Sequence, residues 1–247
     1  METLLGRNAV CEAIRANRRR IQRVLIAKGS MVKGTLAEIV SLCKARHIPI
    51  ADASKKELDS VGGKTRHQGV AAQVSAYPYV QVEDILAAGQ SSGDPAFCLA
   101  LDDVQDPQNV GTLFRTAEAV GVHGVLLPTR RAAAVTETVC RASAGAVEHL
   151  QIARVKNLVR ALEELKSAGL WTVGVEQHER ATDYRDVDLG MPLALVLGSE
   201  GRGMRRLVAE HCDLLIEIPM RGKINSLNVA IAGSVALYQV LSSRSKG

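Results

Sequence analysis

The sequence predicts an α/β protein in which a small α/β unit precedes a larger domain built on an open parallel sheet. Two observations support this. After residue 96, short apolar runs alternate with amphipathic helical patterns, as in a parallel sheet that helices cover on both faces. Before residue 77 the same alternation occurs on a smaller scale. We therefore expect an N-terminal domain at 1–76, a linker at 77–95 and a C-terminal domain at 96–247.

The N-terminal domain is predicted from short helical and strand patterns. Val10 and Ile14 fall on one face of the first helix, which is why a helix is expected there. The expected elements are a helix at 7–17, strands at 21–27, 48–51 and 69–76, and helices around 34–46 and 54–61. The following stretch 77–95 holds one short helical pattern and a Gly/Ser/Asp/Pro cluster, which is typical of a linker.

In the C-terminal domain, each predicted strand is an almost unbroken apolar run. These runs are FCLALDD (97–103), GVLLP (124–128), LWTVGVE (170–176), LALVLG (193–198) and DLLIEIP (213–219). Helices are expected at 109–120, 132–142, 156–168, 203–210 and 226–243. Open parallel sheets bind ligands beyond the carboxyl ends of their strands, so the loops after these runs are the place to search for a site.

The positive charge is concentrated in the N-terminal domain. Residues 1–76 carry 14 Lys and Arg against 6 Asp and Glu, whereas the remainder carries 17 against 20. Such segregation favours contact with a polyanion over a general effect on solubility. The first 76 residues contain no aromatic side chain, so base stacking is not expected there. Phosphate contact should dominate, with strong dependence on salt.

Other features exclude several classes of protein. The five cysteines are scattered without C-x-x-C spacing, which indicates reduced thiols in a cytoplasm rather than disulfides or structural zinc. The dispersed histidines give no metal site. The apolar run 227–241 is too short and too interrupted to span a membrane. GGKT at 62–65 is not a P-loop, because Leu58 occupies the position that requires glycine.

A glycine-rich loop follows the strand LALVLG. Its spacing, G-x-x-G-x-G at 198–203, differs from the dinucleotide fingerprint, so a nucleotide-dependent oxidoreductase lacks support. Gly198, Gly201 and Gly203 permit close approach of the backbone to a ligand. Glu200 between them either balances a cationic ligand or favours a helix N-terminus through the helix dipole.

Two further loops lead into helices with polar starts. In DPQNVG (106–111), Pro107 and Asn109 mark a helix N-terminus, and Arg115 follows in the second turn. GKINSLNVAIAG (222–233) opens an apolar helix with Asn225, Ser226 and Asn228. One N-cap explains one of these side chains and not all three, so this helix start is predicted to bind a ligand.

Together these motifs resemble the SpoU/TrmH family of RNA ribose 2′-O-methyltransferases, and within it the members that methylate a guanosine ribose in bacterial 23S rRNA. The motifs that carry the resemblance are DPQNVGTLFRTAEAVGVHGVLLP (106–128), RASAGAVEHL (141–150), LALVLGSEGRGM (193–204) and IPMRGKINSLNVAIAGSVALYQ (218–239). LLGRNAVCEAIRANRRRIQRVLIAKG (4–29) and TRHQGVAAQV (65–74) resemble the substrate-binding module that precedes the catalytic domain in ribosomal members.

The resemblance implies a C-terminal trefoil knot, a homodimer with its active site near the subunit interface, and S-adenosylmethionine as cofactor. It also implies which residues hold that cofactor: Leu197, Gly198, Ile218, Met220, Ser226 and Leu227. In the family the arginine matching Arg115 activates the ribose hydroxyl. A guanidinium is effectively always protonated, so a clamp on the neighbouring phosphate is the alternative to a base.

The remaining predicted site residues are orienting groups in the C-terminal domain and RNA contacts in the basic N-terminal module. Asn109, Glu200, Ser226 and Asn228 would orient the reactants, while plain helix capping is the alternative for Ser226 and Asn228. The RNA contacts would be Arg7, Arg18, Arg19, Arg20 and Arg23, with an exposed helix end as the alternative for any one of them. Transfer RNA as substrate, or a non-catalytic role in ribosome assembly, are the competing functions.

Overall fold

The computed structural model describes residues 1–62 and 67–245. Residues 63–66, which hold most of GGKT and the start of TRHQGVAAQV, and residues 246–247 lie outside the described residues. The chain forms two compact units. The N-terminal unit comprises Met1–Pro78 and Val135–His149, and the C-terminal unit comprises Tyr79–Ala134 and Leu150–Gly247.

The N-terminal unit is a four-stranded sheet with helices packed on it. Its strands are β1 (Glu2–Leu5), β2 (Ile21–Ala27), β3 (Ile50–Ala53) and β4 (Val70–Val74), in the order β1-β4-β2-β3. β2 and β3 are parallel, and the other two pairs are antiparallel. The helices from the first 62 residues are α1 (Arg7–Ala16), α2 (Thr35–Ala45) and α3 (Lys55–Gly62). Val10 and Ile14 of α1 are fully buried, as their spacing predicted.

The segment Val135–His149 belongs to the N-terminal unit, which differs from the predicted division of the chain. It contains α6 (Glu137–Ala142) and a 3₁₀ turn at Ala146–His149. α6 packs against β1, and the turn packs against α1. The helix begins later than the predicted residue 132, because the Thr136 side chain caps it by accepting a hydrogen bond from the Val139 N–H.

The C-terminal unit is built on a seven-stranded parallel sheet, which confirms the predicted fold class. The strands are β5 (Phe97–Leu101), β6 (Gly124–Pro128), β7 (Ile152–Val155), β8 (Trp171–Val175), β9 (Thr182–Asp183), β10 (Leu193–Leu197) and β11 (Leu214–Glu217). Their order is β7-β6-β5-β10-β8-β11-β9, so β10 lies between β5 and β8. The carboxyl ends of the adjacent parallel strands β8, β10 and β11 therefore lie on the same side of the sheet, and the loops that follow them meet there.

The helices of the C-terminal unit are α4 (Val82–Ser91), α5 (Pro107–Ala119), α7 (Leu158–Ser167), α8 (Arg206–Glu210) and α9 (Val229–Arg244). The predicted linker is therefore not an open connection. Its helix α4 buries Val82 and Ile85 in the core. A Cβ at Gly124 would lie 2.4 Å from the Ile85 side chain, so glycine on β6 makes room for this helix.

Helix α9 packs closely on α5 and the sheet. A Cβ at Gly233 would lie 2.4 Å from Leu197 and 2.5 Å from Leu113, so the glycine permits this approach. On its outer side, Ile231 and Tyr238 are 52% and 54% exposed. In the part of the chain that the structure describes, no helix has the length and apolar character needed to cross a membrane, and no cluster of ligand side chains could hold a metal ion.

Candidate active site

A cavity of about 400 Å³ lies where the loops after β8, β10 and β11 meet. All of the residues predicted to hold the cofactor line it: Leu197, Gly198, Ile218, Met220, Ser226 and Leu227. Its volume falls in the range of small-molecule sites, and its lining combines apolar walls with a few polar groups. Those features suit a nucleoside, because the apolar side chains can contact a flat base while backbone groups read its edge.

A second cavity of about 370 Å³ adjoins the first. It lies beside the loop that follows β5, and Asp103, Asp106 and Asn109 line it. The two cavities share Ser199, Glu200, Arg202 and Val229. A ligand in one cavity would thus lie next to a ligand in the other, with Glu200 between them.

Asn109, Glu200 and Asn228 form a hydrogen-bonded cluster at this shared boundary. Asn228 Nδ2 donates to Asn109 Oδ1 at 3.0 Å and to Glu200 Oε2 at 3.4 Å. Asn109 Nδ2 donates to the same carboxylate oxygen at 3.3 Å. Asn109 lies in the first turn of α5, Glu200 lies in the glycine-rich loop and Asn228 directly precedes α9. The cluster therefore joins the chain segments that follow β5, β10 and β11. Asn228 is also the N-cap of α9, because its Oδ1 accepts from the Ala230 N–H at 2.9 Å.

The other two predicted catalytic residues lie outside this cluster. Ser226 is exposed and lines the first cavity. Arg115 is exposed on α5 and lines neither cavity. Among residues 1–62 and 67–245, the Arg115 side chain has no hydrogen bond or ion pair. Its neighbour Phe114 is fully buried, so the helix face that carries Arg115 points away from the core.

The glycine-rich loop closes on itself, which gives its glycines a structural reason. The backbones of Ser199 and Gly203 exchange hydrogen bonds of 2.9 and 3.0 Å. A Cβ at Gly198 would lie 2.2 Å from the Gly203 carbonyl carbon and the Met204 nitrogen, and any side chain would force the loop open. Gly203 has a φ of 67° and is equally constrained. The glycines that were predicted to permit close approach of a ligand are therefore also the residues that allow the loop itself to close.

Asp102 anchors this loop and was not among the residues predicted from the sequence. Its carboxylate is fully buried at the end of β5 and accepts hydrogen bonds from the Arg205 backbone N–H at 2.8 Å and from Nε at 2.7 Å. Charge-assisted bonds of this kind fix the chain that follows the glycines. The available signal was an acid directly after a buried apolar run, where an unpaired carboxylate would be costly.

Glu176 was also missed. It lies directly after β8 and lines the first cavity. Burial raises the pKa of this carboxyl above its usual range, while the backbone N–H of Met204 acts in the opposite direction. The sequence showed it only as the last residue of a strand pattern, and its neighbour in space, Gly203, was visible only in the fold.

The prediction that Arg19 contacts RNA is wrong. Its side chain is fully buried and forms ion pairs with Glu148 at 2.9 Å and Glu2 at 2.7 Å. It also lies 5.0 Å from the centre of the Tyr77 ring. A guanidinium enclosed by two carboxylates and a ring is unavailable to phosphate. Arg19 instead holds Val135–His149 within the N-terminal unit.

The side chains of the remaining predicted RNA contacts differ in their exposure to solvent. Arg18 is half-buried and donates to the Tyr77 hydroxyl at 3.2 Å. Arg7 is half-buried and donates from Nε to the Gln68 carbonyl at 3.3 Å. Arg20 and Arg23 are exposed. Of these four side chains, the last two present their charge to solvent most directly.

Both parts of the chain match families of known proteins. Residues 96–238 match the SpoU rRNA methylase family, and residues 3–80 match the RNA 2′-O ribose methyltransferase substrate-binding domain. YacO of Bacillus subtilis, a TrmH family protein named for tRNA or rRNA methylation, is 45% identical over 98% of this chain and 95% of its own length.

Two solved structures extend the comparison. An rRNA methyltransferase from Sinorhizobium meliloti with bound AdoMet has 25% identity and a TM-score of 0.78, covering 97% of this chain and 86% of that one. The TrmH/SpoU tRNA-modifying enzyme of A. aeolicus has 27% identity and a TM-score of 0.57, covering 67% of this chain and 81% of that one. The chain therefore belongs to the SpoU/TrmH family of S-adenosylmethionine-dependent RNA 2′-O-ribose methyltransferases.

Proposed function

We propose that this chain methylates the ribose 2′-hydroxyl of a guanosine in 23S rRNA. The choice of ribosomal RNA is supported by the extent of the structural matches. The rRNA methyltransferase covers 97% of the chain, including the N-terminal unit, whereas the tRNA-modifying enzyme covers 67%. The choice of guanosine rests on the motif resemblance. Transfer RNA is the competing substrate, since the name of YacO includes both.

The observation that carries the proposed chemistry is the Asn109–Glu200–Asn228 cluster between two adjoining cavities. In the proposed arrangement the first cavity holds the cofactor and the second holds the target nucleotide. S-adenosylmethionine, when bound, supplies a methyl group on a sulfonium. Direct displacement needs the attacking oxygen in line with that carbon, about 3–3.5 Å away. The cluster fixes the chain segments after β5, β10 and β11 relative to one another and so sets this alignment.

Within this arrangement the polar residues orient and do not react covalently. Glu200 is held by two amide donors, which leaves its other oxygen free to accept a hydrogen bond from the ribose hydroxyl. Ser226 lines the first cavity and can hydrogen-bond to ligand there. The proton of the weakly acidic hydroxyl must leave as the oxygen attacks, so an acceptor near that oxygen speeds the step.

In the proposed arrangement, Arg115 needs a second subunit in order to reach a substrate. It lines neither cavity of its own chain, and α5, which carries it, packs beside α9 with its exposed Ile231 and Tyr238. We propose that this face forms a homodimer in which Arg115 reaches the partner's substrate. Its permanent charge favours a clamp on the phosphate next to the target ribose over a role as base.

The proposal includes the trefoil knot and a cytoplasmic location. The insertion of β10 between β5 and β8, followed by the return of α9 onto α5, is an arrangement in which the last segment can pass through an earlier loop. The cysteines of the described chain are all free thiols, which suits a reducing compartment.

Mapping of 2′-O-methyl sites in RNA from cells with and without this protein tests the substrate. We expect one guanosine in 23S rRNA to lose its methyl group when the protein is absent. Loss of a methyl group from tRNA instead would assign the competing substrate, and no change in either RNA would contradict the function.

In vitro, Arg115→Ala should abolish transfer of tritiated methyl while calorimetry still detects cofactor binding.

A further inference from the structure

Glu176 is a charged side chain of the first cavity that the proposed function leaves without a role. It stands at the carboxyl end of β8, and β8 lies between β10 and β11 in the sheet. Glu176 is therefore placed between the glycine-rich loop on one side and the loop containing Ile218 and Leu227 on the other. Any ligand that spans these two loops passes its carboxylate.

The protein itself holds this carboxylate in place. A Cβ at Gly203 would lie 2.1 Å from Glu176 Oε1, so the carboxylate rests against the backbone of the glycine-rich loop. A side chain at position 203 would displace the carboxylate from this place. The nearby backbone N–H of Met204 favours the charged form.

The carboxylate lacks a side-chain partner. Across residues 1–62 and 67–245, no side chain forms a hydrogen bond or ion pair with Glu176. Beyond the backbone N–H of Met204, this partly buried carboxylate has acceptor positions to which a ligand can donate. Its position in the cavity makes a ligand the available source of these further donors.

We propose that Glu176 accepts hydrogen bonds from the ribose 2′- and 3′-hydroxyls of S-adenosylmethionine. This inference rests on the proposed placement of the cofactor in the first cavity. A cis-diol presents two O–H donors, which match the two oxygens of one carboxylate. In other open parallel sheets, an acid at the end of the strand beside a glycine-rich loop holds the ribose of a nucleotide in this way. Here β8 is hydrogen-bonded to β10, which carries that loop.

The order of groups along the cofactor agrees with this assignment. Its ribose connects the adenine to the sulfonium. Ile218, Met220 and Leu227 provide the apolar surface for adenine on the β11 side, and Glu200 marks the reacting end beyond β10. The ribose then lies between the two, where Glu176 stands.

Calorimetry on the full chain tests the assignment with S-adenosylmethionine and S-adenosylhomocysteine. Both ligands contain the ribose, and only the first carries the sulfonium charge. Glu176→Ala should weaken both by a similar factor of about ten or more, the value of hydrogen bonds to a charged acceptor. Weakening of S-adenosylmethionine alone would assign Glu176 to the sulfonium and overturn the proposal.

A second comparison is independent of any effect on folding. The wild-type chain should bind S-adenosylhomocysteine more tightly than its 2′-deoxy analogue, and this preference should shrink to near unity in Glu176→Ala and partly in Glu176→Gln. The exposed Glu179 in the same loop provides the control, because Glu179→Ala should keep the full preference. An undiminished preference in Glu176→Ala would refute the ribose contact. Failure of the wild-type chain to bind either ligand would refute the cofactor site itself.

Discussion

At the scale of single residues, Asn228 uses both ends of its amide. The oxygen caps α9 through the Ala230 N–H, while the nitrogen donates to Asn109 and Glu200. The cap contributes to folding and the donor contributes to the proposed site. The capping interpretation and the functional interpretation of this residue are therefore compatible, since they involve different atoms.

Substitution of Asn228 separates these two contributions. Asn228→Ala removes the cap and should lower the free energy of unfolding by about 1 kcal/mol. Asn228→Ser keeps an oxygen that can cap and should remain within about 0.5 kcal/mol of the wild type, because serine caps as well as asparagine. Both should slow methyl transfer by roughly tenfold or more, since both lose the donor to Glu200. Thermal unfolding and tritium transfer measure the two effects, and a fully active Asn228→Ser would contradict the role of the cluster.

Arg19 and Arg20 are adjacent in the sequence and opposite in environment. Arg19 is fully buried between Glu148 and Glu2, whereas Arg20 is exposed. Arg19→Met leaves Glu148 buried without its charge partner and should cost about 3–5 kcal/mol of unfolding free energy. Arg20→Met should cost less than about 0.5 kcal/mol. Chemical denaturation of the two variants measures this, and equal stability would show that the buried pair is dispensable.

At the scale of elements, the closed conformation of the loop Gly198–Gly203 depends on close contact between its own backbone segments. Gly198→Ala would place a methyl carbon 2.2 Å from the backbone at Gly203 and Met204, so the loop must shift. We expect cofactor affinity to fall by at least about tenfold, since the shift displaces the cavity wall. Gly222→Ala is the matched control, because no atom lies within 4 Å of the added carbon. Calorimetric affinity that is equal in both variants would contradict the requirement for loop closure.

Helix α9 presents two exposed apolar side chains next to α5, and a dimer would cover them. Ile231→Glu combined with Tyr238→Glu should convert a dimer to a monomer in analytical ultracentrifugation, because charge in a buried interface is strongly unfavourable. Methyl transfer should be lost while cofactor binding persists, since Arg115 would no longer reach the partner. Trp171→Glu, at another exposed apolar position, should leave the dimer intact. A wild-type monomer in solution would refute the shared site.

The elements also differ in how well the sequence predicts them. The strands β5, β6, β8, β10 and β11 were predictable because each is a short, mostly apolar run with a buried centre. The start of α9 was set three residues too early, because three polar residues preceded it and only Asn228 is the cap. The burial of Arg19 was unpredictable, since it depends on Glu148, which reaches the N-terminal unit only through the fold.

At the scale of the whole molecule, the separation of charge along the sequence predicts how the protein binds RNA. The N-terminal 76 residues carry the excess of Lys and Arg, and the aromatic residues all follow them. Affinity for an rRNA fragment should therefore fall steeply as salt rises, because each phosphate contact releases counterions.

The exposed arginines should account for part of that salt dependence. Arg20→Ala and Arg23→Ala should each reduce the slope of log affinity against log salt by about one unit. Arg160 is an exposed arginine of the C-terminal unit, and Arg160→Ala should leave the slope unchanged. Fluorescence anisotropy over a salt series measures these slopes. A flat response in the wild-type chain would exclude phosphate contact as the main source of affinity.

The assignment of Val135–His149 to the N-terminal unit has a consequence for how such proteins can be recombined. The family match to the substrate-binding domain ends at residue 80, and a gene fusion cut there would carry away β1 without α6, and Arg19 without its buried counter-ion. A transplant of this recognition module into another enzyme must therefore bring a second, later piece of the gene.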